Sequence, residues 1–418
     1  MTLVQAVNEL APVSTAKKKV MDTSAPDAEA IVIGAGPAGL ACAAALRKIG
    51  KSVVVLEQAD KVGSSWRRHY DRLRLHTPKR NSGLPGLRMP GRYSNYVSRD
   101  EFIAYLEQYA EHLRIVPRFG ARVVGVKRRE RWIVETETAS LTADNVIFAT
   151  GIAGSPFRPR WPGIQSFRGP VLHSSEYVNA KPFAARGVLV VGLGNSGGDI
   201  ATDLAHAGSN VSVSVRGPVN ILPRDLLGIP ILTWAILERP LPSTLADTLN
   251  APIVRLAIGN LEIFGLRRPG KGPLAQVAED RKIPLLDTGI VDHIRSGMVA
   301  VRPGIKRVSG ADVHFDDGTH AAFDVIIEAT GYRPNLRPLL PDYQDVLDRA
   351  GVPLTCGHTT PHVGLFFCGY IPVTTGQLRE IGFEAARIAR AIGAGSGEER
   401  THGGMRPYAT SSNSLQLR

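Results

Sequence analysis

Residues 30–57 read "AIVIGAGPAGLACAAALRKIGKSVVVLE". A short apolar run ends at Gly34, a helix-periodic stretch closes on Gly50, and a second apolar run ends at Glu57. That alternation predicts a βαβ unit. In "GAGPAG", Gly34 suits the tight turn out of the strand, Gly36 lets the backbone approach a pyrophosphate, and Gly39 lets the helix pack on the sheet. Pro37 and Ala38 open a helix whose terminal amides and dipole favour anions. Glu57 lies 18 residues after Gly39, where a carboxylate accepts hydrogen bonds from a ribose diol. With Gln58 beside it, this set reads as one dinucleotide site.

A second copy of the pattern spans 187–216, "GVLVVGLGNSGGDIATDLAHAGSNVSVSVR". Gly192, Gly194 and Gly197 repeat the glycine logic, and Asn195 and Ser196 open the helix. The second strand ends on Arg216 rather than an acid. A guanidinium cannot accept from a ribose hydroxyl but pairs well with a 2′-phosphate. The first site is therefore expected to take FAD and the second NADPH. Two further strands end alike, "NVIFATG" (145–151) and "DVIIEATG" (324–331), and a last one, "GLFFCG" (364–369), precedes a helix. Thr150, Gly151, Gly369 and Gln377 are assigned to the FAD site, and Thr330 and Gly331 to the NADPH site.

The expected fold class is α/β, with two Rossmann-like dinucleotide-binding domains and the NADPH domain inserted into the FAD domain. The FAD domain is placed at 28–160 and 321–395, the NADPH domain at 185–300, and connectors at 161–184 and 301–320. Flexible tails are expected at 1–27 and 396–418.

The chain has 418 residues, room for two domains and a sizeable core. Lys and Arg total 50 against 38 acids, a net +12. No nucleic-acid motif accompanies the charge, which reads as solubility plus attraction for phosphorylated cofactors. Cys42, Cys356 and Cys368 form no C-x-x-C pair. They read as small buried apolar residues in a reducing cytoplasm, and no metal site is expected. The longest apolar segment, "LLGIPILTWAIL" (226–237), is too short to span a bilayer. No stable membrane insertion is expected; a lid, a dimer contact or a membrane-surface contact remain open for it.

After the first unit comes "GSSWRRHYDRLRLHTPK" (63–79). A flavin needs an apolar wall, ring hydrogen bonds and phosphate partners, and Gly63, Trp66 and Arg67 could supply them. Between the two glycine loops lies "FRGPVLHSSEY" (167–177). Two dinucleotide fingerprints flanking that segment resemble the class B flavin-dependent monooxygenases, whose signature is F-x-G-x-x-x-H-x-x-x followed by an aromatic. Within the class, "YDRLRLHTPK", "VLVVGLGNSGGDIATDL", "VRGPVNILPRDLLG", "RPGKGPL" and "FDVIIEATGYRPN" are similar to the YUCCA flavin monooxygenases, over about residues 28–395.

The resemblance implies an enzyme in which NADPH reduces FAD, dioxygen adds at the flavin C4a, and the hydroperoxide transfers one oxygen to a small substrate. It implies oxidative decarboxylation of a 2-oxo acid, or oxygenation at nitrogen or sulfur; a Baeyer–Villiger oxygenation or an NADPH oxidase are the alternatives. His76 would sit near the flavin C4a. Phe167 would anchor the signature segment and Gly169 would allow a bend, while His173 and Tyr177 would hold it beside NADP⁺; His76, His173 and Tyr177 form the expected catalytic set. Small-molecule substrate and dioxygen are the expected partners, nucleic acid is not, and a homodimer is left open.

Overall fold

The computed structural model describes residues 25–398. The expected tails therefore lie outside the described residues, apart from a few positions at their inner edges.

The chain builds two sheets, each around a copy of the βαβ pattern, the first mixed and the second all parallel. In the first, β1 (Ala28–Ile33), β2 (Val53–Leu56), β3 (Val123–Arg128), β4 (Trp132–Thr136) and β5 (Ser140–Phe148) take the order β2-β1-β5-β4-β3. β1 sits between two parallel neighbours, with Ile31 opposite Val54 and Val146. A strand covered on both faces reads as a continuous apolar run, which is why "AIVI" shows no alternation. β5 is long enough to serve two partners along the edge opposite β1. Its first half pairs antiparallel with β4, and its second half pairs in parallel with the late strand Leu365–Phe367.

One face of this sheet is covered by α1 (Pro37–Lys48) and the 14-residue α3 (Arg99–His112), with the short α2 (Ser64–Arg67) between them in sequence. Sequence reading gave α3 no role, yet its start was marked. The Ser98 hydroxyl accepts from the Glu101 amide, and the Glu101 carboxylate accepts from the Ser98 amide, a reciprocal capping box. Phe102, Tyr105, Leu106 and Tyr109 then enter the core beneath α1.

The second sheet has the order Val299–Arg302, Asn210–Ser214, Gly187–Val191, Val325–Glu328, Val171–His173. Around it lie α4 (Asn195–His206), α5 (Ile231–Leu237), α6 (Ser243–Ile258), α7 (Pro273–Asp280) and α8 (Ile290–Arg295). A three-stranded antiparallel sheet (Ile305–Ser309, Asp312–Phe315, His320–Ala322) caps its side. The chain then returns to the first sheet and ends the described region in α9 (Gln377–Glu398), which packs along α1.

Two expected boundaries need correction. Val325–Glu328, assigned to the 321–395 part of the FAD domain, pairs with Val188–Val191 in the middle of the second sheet. The segment 161–184, expected as a connector, contributes the edge strand Val171–His173. The first strand is buried along its whole length and carries no mark of which sheet it will join; the second is a half-buried edge strand of three residues, too short to show a period. α9 also runs three residues into the segment expected as a tail.

Candidate active site

Both glycine loops are built on one plan. Gly34 and Gly192 have φ of +107° and +99°, a region open to glycine. A Cβ on Gly34 would lie 2.7 Å from the Ala149 carbonyl oxygen, and one on Gly192 2.7 Å from that of Ala329. So each loop is pressed against one of the two "ATG" turns. A Cβ on Gly39 would lie 1.8 Å from the Gly34 carbonyl oxygen, and one on Gly197 2.0 Å from that of Gly192. Only hydrogen fits there. Gly36 and Gly194 are the opposite case: a Cβ on either meets nothing within 4 Å. Each is the N-cap of its helix and has no side-chain cap. Open space therefore remains in front of both helix N-termini, as bound phosphates require.

A cavity of about 1490 Å³ opens in front of the first loop. Gly34, Gly36, Pro37, Ala38, Glu57, Gln58, Trp66, His76, Thr150, Gly151, Gly369 and Gln377 line it, as do Asn195 and Ser196 of the second loop. Gly39, Gly63, Arg67, Gly192, Gly194, Gly197, Arg216, Thr330 and Gly331 do not. The far wall is apolar, formed by Ile231, Leu232, Trp234 and Ala235 of α5 and Ala251 and Val254 of α6.

Glu57 is buried, and its carboxylate accepts from the Ala35 amide (2.8 Å), the Ala59 amide (2.9 Å) and the Ser64 hydroxyl (3.2 Å). A carboxylate offers about four acceptor positions, so it braces the loop and still faces the cavity. Trp66 packs edge-on against Phe102 at 4.4 Å. Arg67 turns away: its Nε donates to the Val62 carbonyl and its guanidinium pairs with Glu107. Its neighbour Arg68 lines the cavity instead and, among the described residues, makes no ion pair. Gly63, with φ +67°, packs against Leu106.

On the opposite side, the Thr150 amide donates to the Tyr370 hydroxyl at 3.0 Å. The Gly369 amide donates to the Glu384 carboxylate at 2.6 Å. Burial raises the Glu384 carboxyl to about 7, against the pull of that amide. Gln377 opens α9, and its Nε2 is buried with no hydrogen-bond partner, a donor left for a bound group. Open space at Gly36 and Gly194, together with this orphaned donor, fits the dinucleotide cofactors that the sequence implies.

His76 lines the cavity with its Nε2 3.7 Å from the Asp199 carboxylate. Asp199 belongs to α4 and is buried, accepting from the Tyr70 hydroxyl (2.9 Å) and the Thr288 hydroxyl (2.7 Å). Burial works to raise its carboxyl, but His76, Thr288 and Tyr70 hold it below the ordinary carboxylate value. This network joins the segment 70–76 to the second sheet. Sequence reasoning missed it because Tyr70 and Asp199 are 129 residues apart.

Arg216 is exposed just beyond the strand Asn210–Ser214 and makes no ion pair among the described residues. Its carbonyl accepts from Arg267 at 3.0 Å, so two guanidinium-bearing residues meet there. Asn195 does not point freely at a ligand: its side-chain oxygen accepts from the Leu286 amide at 2.8 Å.

The signature segment is placed outside the cavity. His173 is fully buried. Its Nδ1 lies 3.1 Å from the Ser175 amide and its Nε2 3.0 Å from the Gly331 carbonyl oxygen. An amide donates and a carbonyl accepts, so the ring is the neutral Nε2–H tautomer. Burial, only partly offset by that carbonyl, keeps the imidazole below the ordinary histidine value. Tyr177 stacks on Phe183 at 5.8 Å and donates to Asp203 at 2.7 Å. Of the three residues expected to be catalytic, His76 lines the cavity, while His173 and Tyr177 are not among its lining residues. Gly169 makes no positive-φ bend. A Cβ there would lie 1.9 Å from the Asp324 carbonyl oxygen, so glycine permits close strand contact.

Paired glycine loops on two sheets, sharing a cavity walled by a tryptophan and an apolar helix pair, define a flavin-dependent oxidoreductase. The sequence model of the pyridine nucleotide-disulphide oxidoreductase family matches residues 31–224. A rice (Oryza sativa subsp. japonica) protein, indole-3-pyruvate monooxygenase YUCCA1, is 42% identical over 334 residues, 77% of this chain and 81% of its own. A probable indole-3-pyruvate monooxygenase YUCCA1 of Arabidopsis thaliana is 40% identical over 73% of this chain and 76% of its own. Among solved structures, a flavin-containing monooxygenase from Stenotrophomonas maltophilia superposes with a TM-score of 0.67 at 25% identity, covering 88% of this chain and 99% of that one. Cyclohexanone monooxygenase from Rhodococcus sp. Phi1 bound to NADP⁺ shares the fold, with a TM-score of 0.68 at 20% identity over 89% of this chain and 85% of that one. The chain belongs to the YUCCA family of flavin monooxygenases.

Proposed function

We propose that this enzyme uses FAD and NADPH to decarboxylate a 2-oxo acid bearing a large apolar group, with dioxygen as co-substrate. One oxygen atom enters the product carboxylic acid, the substrate's own carboxylate leaves as carbon dioxide, and the second oxygen atom leaves in water with two electrons from NADPH. Bound FAD would supply the hydride acceptance and the oxygen activation. The observation that carries the reading is one cavity that meets the open first loop, Asn195 and Ser196 of the second, and an apolar wall large enough for an aromatic side chain. The names of the relatives, indole-3-pyruvate monooxygenases, fit that wall.

In this reading the segments 28–148 and 365–398 carry the FAD domain, and the second sheet carries NADPH. Gly36 and Gly194 leave room for the two pyrophosphates, and Glu57 accepts from the FAD ribose. Arg216, with Arg267 beside it, receives the 2′-phosphate. Thr150, Gly151, Gly369 and Gln377 enclose the flavin ring, while Thr330 and Gly331 back the second loop. His76, held by Asp199, keeps an imidazole at the wall between the two loops, where it can hold or move a proton at Nε2. The protein's share of the chemistry is position and exclusion of water.

The test is turnover of the purified, flavin-loaded protein with NADPH and indole-3-pyruvate. Carbon dioxide and indole-3-acetate should form in step with NADPH consumed. NADPH consumption matched by hydrogen peroxide, with no acid product from this or other arylpyruvates, would overturn the reading.

A further inference from the structure

A second cavity, of about 330 Å³, lies beside the main one. Leu73, Arg74, Leu75 and His76 line both, so this stretch is the partition between them. Asp199 and Thr288 line the second cavity and not the first. Asp71 and Arg74, also on its wall, are exposed and bring its mouth to the protein surface. Its three arginines are committed to protein partners. Arg72 donates to His206 Nδ1 and the Thr288 carbonyl, Arg74 to the Ser94 hydroxyl and the Tyr96 carbonyl, and Arg224 to Asp225. Asp71 pairs with Arg99. The second cavity is therefore a polar chamber with room for several waters, rather than a site for an anion.

Of the side chains shared by the two cavities, His76 alone can gain and lose a proton near neutral pH, because the Arg74 guanidinium keeps its own. His76 is 20% exposed, and its Nε2 lies 3.7 Å from the carboxylate of Asp199, which is 6% exposed. Two donors fix that carboxylate, the Tyr70 hydroxyl at 2.9 Å and the Thr288 hydroxyl at 2.7 Å. Burial and the Asp199 charge keep the Tyr70 phenol protonated well above the ordinary tyrosine value, so it donates and does not titrate. An ionised carboxylate held in this way favours an imidazolium beside it.

The reaction needs such a group. A 2-oxo acid anion, dioxygen, NADPH and one proton give a carboxylate, carbon dioxide, NADP⁺ and water. NADPH supplies a hydride, and the proton that completes the water comes from solvent. A main cavity filled by both dinucleotides excludes bulk water, so the proton has to arrive along a defined route. We propose that His76 carries this proton from the second cavity into the main one, and that Asp199 is the positioning residue that holds the ring in the partition and balances its charge. The inference rests on the proposed function for the fate of the proton, although a reaction ending in hydrogen peroxide would consume one as well.

The test uses the full-length, flavin-loaded enzyme. His76→Ala should keep its flavin and lose turnover by roughly 100-fold. Added imidazole should restore turnover in proportion to its concentration, because a small buffer acid can enter through the second cavity. Asp199→Asn should lose less and gain nothing from imidazole, since the carrier is still present. A second readout needs no turnover. With saturating NADP⁺ bound, diethylpyrocarbonate should modify His76 far faster than the fully buried His173, as read by mass spectrometry of the peptides. The proposal is overturned if His76→Ala turns over as fast as the parent, if imidazole fails to restore it, or if His76 is modified no faster than His173. A parent enzyme that releases peroxide and no acid product overturns the proposed function instead, and the His76 results then still decide the proton route.

Discussion

The two glycine loops have the same backbone plan and opposite chemistry at the end of the following strand. In the first, a buried carboxylate, Glu57, is tied to two backbone amides and a hydroxyl. In the second, an exposed guanidinium, Arg216, has no ionic partner among the described residues. The first of these groups is fixed before any ligand arrives and its loop is braced with it. The second is free to swing and pays ordering entropy at each binding event. This is the difference expected between a site that keeps its cofactor and one that exchanges it every cycle.

The sharpest way to break the comparison is at the glycines that touch their own loop. Gly39→Ala puts a methyl 1.8 Å from the Gly34 carbonyl oxygen, and Gly197→Ala puts one 2.0 Å from that of Gly192. Overpacking of this kind costs on the order of 3 kcal/mol or more. Gly39→Ala should yield protein without flavin. Gly197→Ala should yield yellow protein that NADPH no longer reduces. Identical losses in both would erase the asymmetry, and absorbance spectra with anaerobic reduction would read it.

Next in size is a pH effect confined to the first half. Glu384 is an acid whose folded value, about 7, lies above its unfolded value of 4.5. Its ionisation is disfavoured by burial, so the folded state loses stability as pH rises from about 4.5 to 7, by about 3 kcal/mol, and no more above that. Glu384→Gln keeps an oxygen for the Gly369 amide and removes the titration. Denaturant midpoints at pH 5 and pH 8 should converge in the variant relative to the parent.

Arg216→Ala addresses the second loop. A charge-assisted bond is worth roughly 1.5–3 kcal/mol, so the KM for NADPH should rise by about 10- to 150-fold. Use of NADH should hardly change, and flavin content should stay full. The smallest effect belongs to Tyr177→Phe. It removes one bond to Asp203 and leaves the stacking on Phe183, for a cost of about 1 kcal/mol. Thermal unfolding should register it while steady-state turnover does not.

Both loops were legible in the sequence because glycine spacing reports backbone geometry directly. The "ATG" turns were legible as repeats, though not as the surfaces on which Gly34 and Gly192 rest. What escaped was set by direction and distance. Arg67 and Arg68 are indistinguishable on paper, and the rotation of a four-residue helix decides which one faces the cavity. Tyr177 carries a hydroxyl suited to catalysis, but its ring completes the core of the second sheet. The pairing of His76 with Asp199 spans 123 positions and rests on how the two sheets dock.

The second sheet begins with Val171–His173 and ends with Val325–Glu328, and these two strands are direct neighbours, with Val171 opposite Ile326. Its entry and exit therefore lie within one short strand length, roughly 10 Å. The whole 158-residue excursion, 171 to 328, leaves and returns at one place in the chain, where the His173 ring holds the Gly331 carbonyl, and its other ties to the first half are side-chain contacts such as Tyr70 and His76 with Asp199. Such a unit can be exchanged as a cassette. A corresponding excursion from a relative that prefers NADH, joined at these two strands, should change the reductant while leaving the flavin side of the enzyme in place, and it would bring its own α5 and α6 wall to the cavity.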